Sequence, residues 1–143
     1  MKIKLNLKKL ILNLVVVVFA FATSTELIAQ KKKATDLKDF KVVIKKTENG
    51  IKMQSIEGSA WIDLAFKINI DQPQAIDEYG MTVLDRLSSV KDSNLADYLF
   101  TISKTENGIV LRGIEGTAWT DLSFSLTENG KQAIDQFGMI KLN

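Results

Sequence analysis

The sequence predicts an all-β fold, an antiparallel sandwich or small barrel of about eight strands, and three observations carry that expectation. A block of residues recurs at a constant spacing of 58, from Lys33 paired with Lys91 to Asp85 paired with Asn143 without a gap, and 25 of these 53 pairs are identical. Within each copy apolar and polar residues alternate with a period of two, as in strands that bury one face. Asn-Gly pairs close the first alternating run of each copy, and such a pair between two alternating runs signals a hairpin.

In chain order, Lys2, Lys4, Lys8 and Lys9 precede an apolar run from Leu10 to Ala22 that only Asn13 interrupts, and a more polar stretch from Thr23 leads to small Ala29. This pattern predicts an N-terminal signal helix over 1–29, cleaved after Ala29, with cleavage after Ala22 as the alternative. The apolar run falls short of the roughly 20 residues that span a bilayer, so the membrane is expected to be met only through this segment before cleavage. The expected destination is the periplasm or the outside of the cell.

Four lysines and Glu26 lie in 1–29, so the 19 basic and 17 acidic residues of the whole chain become 15 and 16, a net charge of −1 for the remainder. The only basic run, Lys31-Lys32-Lys33, stands at the expected new terminus, so no nucleic-acid partner is predicted. The chain has neither cysteine nor histidine. An exported domain without disulfides must be held by its core, and one copy of about 53 residues is marginal on surface-to-volume grounds. One β domain over 40–143 is therefore expected, built of two four-strand repeats, 40–85 and 98–143, with a polar lead-in at 30–39 and a linker at 86–97 able to form a short helical turn.

Each repeat opens on an alternating strand, Phe40 to Lys46 and Tyr98 to Lys104. A two-residue type I′ turn at Asn49-Gly50 and Asn107-Gly108 sets Lys104 opposite Leu111 and Ile102 opposite Gly113. Val42, Ile44, Ile51 and Met53 then share one face, as do Phe100, Ile102, Ile109 and Leu111, while Lys45, Thr47, Lys52 and Gln54 are wetted. A glycine-containing corner leads to a third strand carrying Leu64, Phe66 and Ile68, or Leu122, Phe124 and Leu126. A second Thr-Glu-Asn-Gly, Thr127 to Gly130, is expected to fold that strand back onto the fourth segment, Gln132 to Met139, whose first-copy counterpart is Gln74 to Met81. There Asp77 and Asp135 either point inward or mark a bulge near Gly138.

Chemistry has few candidates. Trp61 and Trp119 sit in a shared Glu-Gly-x-Ala-Trp-x-Asp-Leu block flanked by Glu57, Asp63, Glu115 and Asp121. One reading makes these six residues a ligand site, with indoles stacking on a carbohydrate or peptide and carboxylates accepting hydrogen bonds. The other makes the indole a plug at the corner and the carboxylates caps of local backbone N–H groups. Paired carboxylates can also run glycoside hydrolysis or hold calcium, although no dense Asp-x-Asp-x-Asp-Gly loop is present. Without His or Cys the usual triads, zinc sets and thiol nucleophiles are missing, so no catalytic residue, metal or cofactor is predicted.

The Thr-Glu-Asn-Gly-Ile, Glu-Gly-Thr-Ala-Trp-x-Asp-Leu-Ser-Phe-Ser-Leu and Gln-Ala-Ile-Asp-Gln-Phe-Gly-Met strings resemble those of small exported bacterial proteins built on one such unit, alone or after a signal segment. The resemblance covers both copies and implies no activity. Some of those relatives carry cysteines around the Gly-Ala-Trp corner; this chain does not, so a redox or metal role there does not carry over. The expectation that results is a small exported non-catalytic β protein that binds a protein or glycan of the cell envelope, with homo-oligomerisation through edge strands as a further route. The alternative is a carboxylate-based calcium-binding protein or glycan-acting enzyme.

Overall fold

The computed structural model describes residues 36–85 and 91–143, all within one compact unit, Asp36–Asn143. The expected signal segment and linker residues 86–90 lie outside the described residues. Every described element is a strand: β1 Lys41–Lys46, β2 Gly50–Glu57, β3 Asp63–Lys67, β4 Gln74–Asp77, β5 Gly80–Thr82, β6 Leu99–Lys104, β7 Gly108–Glu115, β8 Asp121–Ser125, β9 Lys131–Asp135 and β10 Gly138–Ile140. They form two separate antiparallel sheets of five, β10-β9-β1-β2-β3 and β5-β4-β6-β7-β8, an arrangement consistent with a sandwich and not with a closed barrel. The inward residues of both sheets meet in one core, where the rings of Phe40 and Tyr98 lie 4.3 Å apart.

The connectivity differs from two self-contained four-strand units. Each sheet takes three strands from one half of the chain and a hairpin from the other: β9 pairs with β1, and β4 with β6. Thr127 to Gly130 therefore does not fold β8 onto its successor but carries the chain across to the other sheet. Asn129 has φ of 63°, and its N–H donates to the Lys46 carbonyl at 2.7 Å, while the Lys46 N–H donates back to Gly130 at 3.2 Å. Asp71, 58 residues earlier, has φ of 61° and donates its N–H to the Lys104 carbonyl at 3.0 Å. The chain bends out of one sheet at a left-handed residue that then caps the first strand of the other.

There are ten strands, not eight, because each fourth segment is itself a hairpin. Asp77 pairs with Gly80 and Asp135 with Gly138, leaving two turn residues between, and the glycines adopt φ of 125° and 134°, where a side chain would be strained. Neither aspartate marks a bulge; Asp77 is buried and Asp135 half-buried, each beside its turn. Asp77 Oδ1 accepts the Tyr79 N–H at 2.8 Å, and Asp135 Oδ1 accepts those of Phe137 and Gly138 at 2.8 and 3.1 Å, the local turn bonding that short acidic side chains favour. In the described part of the linker, Leu95 N–H donates to Asp92 at 3.1 Å in a single turn.

The first hairpins also differ in register. Lys104 pairs with Ile109 and Lys46 with Ile51, so the turns centre on Glu48-Asn49 and Glu106-Asn107, closed by Thr47 N–H to Gly50 at 3.0 Å and Thr105 N–H to Gly108 at 2.9 Å. Neither Asn49 nor Asn107 has the positive φ of a type I′ turn. The glycines serve close approach instead: a Cβ on Gly50 or Gly108 would strike the Phe66 or Phe124 carbonyl of the adjacent strand. A shift of two residues preserves the faces, and Val42, Ile44, Ile51, Met53, Phe100, Ile102, Ile109 and Leu111 are all buried. Near the other end of each hairpin, Lys41 pairs with Glu57 but Val42 with Ser55, which makes Ile56 the extra residue of a bulge; Ile114 holds the same place in β7.

Candidate functional site

The shared Trp block forms the turn from β2 to β3 and from β7 to β8. Both indoles are in the core, 9% and 8% exposed, which leaves little surface for stacking on a ligand. Trp61 Nε1–H donates to the Asp77 carbonyl and Trp119 Nε1–H to that of Asp135, each at 3.0 Å. The neighbouring Ala60 and Ala118 N–H groups donate to Glu78 and Gln136, each at 2.8 Å. Each corner is thus latched to the hairpin that its own half of the chain has sent to the opposite sheet.

The four flanking carboxylates do not converge. Glu57 and Glu115 end β2 and β7; Asp63 begins β3 opposite Gln54; Asp121 begins β8 opposite Arg112, whose Nε lies 3.6 Å away. Asp63, Asp121 and Glu115 line three different depressions. Among the described residues no group of three acidic side chains could hold a metal ion. Millimolar calcium is accordingly expected to leave the melting temperature unchanged, and a rise of several degrees in a calorimetric titration would contradict this.

A small depression of about 120 Å³ beside the β4–β5 turn gathers Asp77, Glu78, Asp97, Glu115, Lys91 and Tyr98. Its chemistry is explained by the corresponding place in the other half. There Gln136 accepts the Phe40 N–H at 3.2 Å and donates to the Asp39 carboxylate at 2.7 Å. Glu78 takes the same seat, with its carboxylate on the Tyr98 N–H, but it stands near the Asp97 charge where Gln136 offers an amide N–H to Asp39. Burial, then the charges of Asp77 and Asp97, push the Glu78 carboxyl above its ordinary value, although its backbone bonds oppose this; Lys91 offsets part of the charge, 2.7 Å from Asp97. Burial likewise raises the Tyr98 phenol, whose Oη lies 2.6 Å from Ser59 Oγ. A raised Glu78 favours folding most below the carboxyl's ordinary 4.5, and that stability is lost as pH climbs through the folded value. E78Q, which copies Gln136, is therefore expected to gain about 1 kcal/mol in urea unfolding at pH 7 and nothing at pH 4. An equal effect at both pH values would refute the assignment.

The two outer sheet faces differ more than the cores do. On the β9-β1-β2 side Lys131 pairs directly with Lys45, and Lys45 with Lys52, placing three ammonium groups in one row across adjacent strands. Lys67 lies diagonal to Lys52, since it pairs with Gly50 and Ala65 pairs with Lys52. The next row holds Val43, Gln54 and Asp63, and together with Lys45, Lys52 and Lys131 it lines a shallow groove of about 350 Å³. Among the described residues none of the four lysines makes an ion pair. Their aligned positions in the other sheet are Pro73, Ser103, Val110 and Ser125, none of them charged. The first sheet's outer face carries five lysines against Glu57, Asp63 and Asp135; the second carries Arg112 against Asp77, Glu115 and Asp121.

Sequence reasoning placed Lys45 and Lys52 on the wetted face but missed the row. The signal available was a set of lysines found in one copy only. No family model, curated protein or solved structure matches the chain, so the functional reading rests on the geometry.

Proposed function

We propose that this is a small exported, non-catalytic β protein, its framework a duplicated unit, that binds a component of the cell envelope through the outer face of the sheet β10-β9-β1-β2-β3. The divergence of the two outer faces carries the reading. Like charges set directly opposite each other on a sheet destabilise it, and the other half has the same strands without them, so the framework does not need the lysine row. Such a cost is compensated when an anionic partner neutralises the row. Export rests on the composition of residues 1–29, and the absence of catalysis on the scattering of the carboxylates and the lack of His and Cys.

The test is retention of the purified protein on washed envelope material. Retention should fall as salt rises from low to physiological levels, because exposed charges are screened over about 8–10 Å. It should also fall in K45Q/K52Q/K131Q and persist in R112Q, which alters the opposite face. Retention that ignores both salt and the triple substitution overturns the proposal.

A further inference from the structure

We infer that the ligand of the lysine-bearing face is a linear acidic polysaccharide, a chain of uronate-type sugars; this deepens the binding reading above and rests on it. Three features of the face select the ligand class. The first is spacing: Lys131, Lys45 and Lys52 stand on neighbouring strands about 4.8 Å apart, near the advance of an extended sugar chain per residue, so a chain laid across the strands keeps step with the row and the flexible lysine stems can reach its carboxylates. The second is the choice of lysine in every basic position of the row. Compact point charges on flexible stems can follow carboxylates that differ in height and orientation along a sugar polymer.

The third feature is the polar row beside the lysines. Gln54 and Asp63 share the groove with Lys45, Lys52 and Lys131, and Asp63 is exposed with no ion pair among the described residues. A carboxylate beside an anion site repels any polyanion, a uronate chain included, so it suits only a ligand with a donor to offset that repulsion; the phosphodiester backbone of duplex DNA offers no free hydroxyl. Toward a sugar it is useful, because it accepts a hydrogen bond from a ring hydroxyl while the lysine next to it holds the uronate group. The face bears no aromatic side chain, which also disfavours single-stranded nucleic acid, where base stacking supplies much of the affinity. A second copy of the chain is a poor match: on its opposite face Asp77 is buried and Asp121 is spoken for by Arg112, leaving Glu115 to answer four lysines.

Affinity electrophoresis and calorimetry of the purified protein against polygalacturonate test this, with neutral dextran, phosphatidylglycerol vesicles and duplex DNA run alongside. Polygalacturonate should bind and dextran should not, with K45Q/K52Q/K131Q about tenfold weaker or worse and K41Q, in a row already balanced by Asp135 and Glu57, close to wild type. D63A separates recognition from bare charge, because it removes the hydrogen-bond acceptor together with the negative group: loss of a hydroxyl contact weakens polygalacturonate binding several-fold, whereas attraction by charge alone would tighten. Tighter binding by D63A, or equal binding by the triple variant, overturns the inference. Lysine-dependent binding to vesicles or DNA with none to polygalacturonate also overturns it while leaving the binding face intact. No binding to any of the three anionic probes, together with lysine-independent retention on envelope material, overturns both. The triple variant should melt no lower than wild type, since it relieves like-charge pairs.

Discussion

Replacing Trp119 with alanine is expected to destabilise the protein by about 3–5 kcal/mol, a large part of the 5–15 kcal/mol typical of a domain. The indole is 8% exposed, its ring lies 5.8 Å from that of Phe100, and its N–H holds the Asp135 carbonyl at 3.0 Å. Truncation opens a cavity and also unlatches the β7–β8 corner from the β9–β10 hairpin, the element that supplies an edge to the other sheet. Trp61→Ala should act the same way through Asp77. W119F removes the N–H but keeps most of the apolar volume, and about 1 kcal/mol is expected for the abandoned carbonyl. Urea unfolding at constant m-value measures all three. A loss below about 1 kcal/mol for W119A would mean that the corner is held from elsewhere, and the sequence-level alternative of a ligand platform would reopen.

That corner also shows which parts of the structure local sequence can state. Alternation assigned the buried faces correctly even though both first hairpins were set two residues out of register, because a slip of two returns every side chain to the same face. The same slip hid the lysine row. Pairing through Asn49-Gly50 sets Lys45 opposite Gln54, whereas it lies opposite Lys52, and the third member, Lys131, reaches β1 only through a pairing between the two halves. The exchange of hairpins was illegible for a related reason. Thr-Glu-Asn-Gly closes a hairpin at Thr105 to Gly108 and carries a crossover at Thr127 to Gly130, so the same four residues serve two connections. Turn chemistry fixes how the chain bends locally; which strand then supplies the hydrogen bonds depends on a surface far away in sequence. Asn-Gly was misread for its φ because the glycine is needed for clearance from a third strand, a contact absent from any two-strand pattern.

Lys46→Met and Lys104→Met are each expected to cost about 2–3 kcal/mol. Their parity with Val42 and Ile44, or Phe100 and Ile102, turns them inward, and they are 4% and 7% exposed. Lys104 Nζ donates to the Thr47 and Glu48 carbonyls at 2.7 and 2.6 Å, and Lys46 Nζ to those of Thr105 and Glu106 at 3.1 and 2.9 Å. Each lysine of one sheet therefore fastens the first hairpin turn of the other, and the pair forms a reciprocal staple across the core. Methionine keeps the stem volume while removing the charged donor, so the loss reports the hydrogen bonds rather than a cavity. Because the ammonium groups are buried and their partners are uncharged backbone carbonyls, the cost should depend less on salt than that of an exposed ion pair such as Arg112 with Asp121. The double variant decides whether the staple is one device. If the two turns are held independently the losses add; if releasing one lets the sheets part at that end, the second costs less and the cycle shows a coupling of about 0.5 kcal/mol or more. Losses below about 0.5 kcal/mol for both single variants would show that the turns hold without the ammonium groups and that the sheets are joined by their apolar faces and the Trp corners.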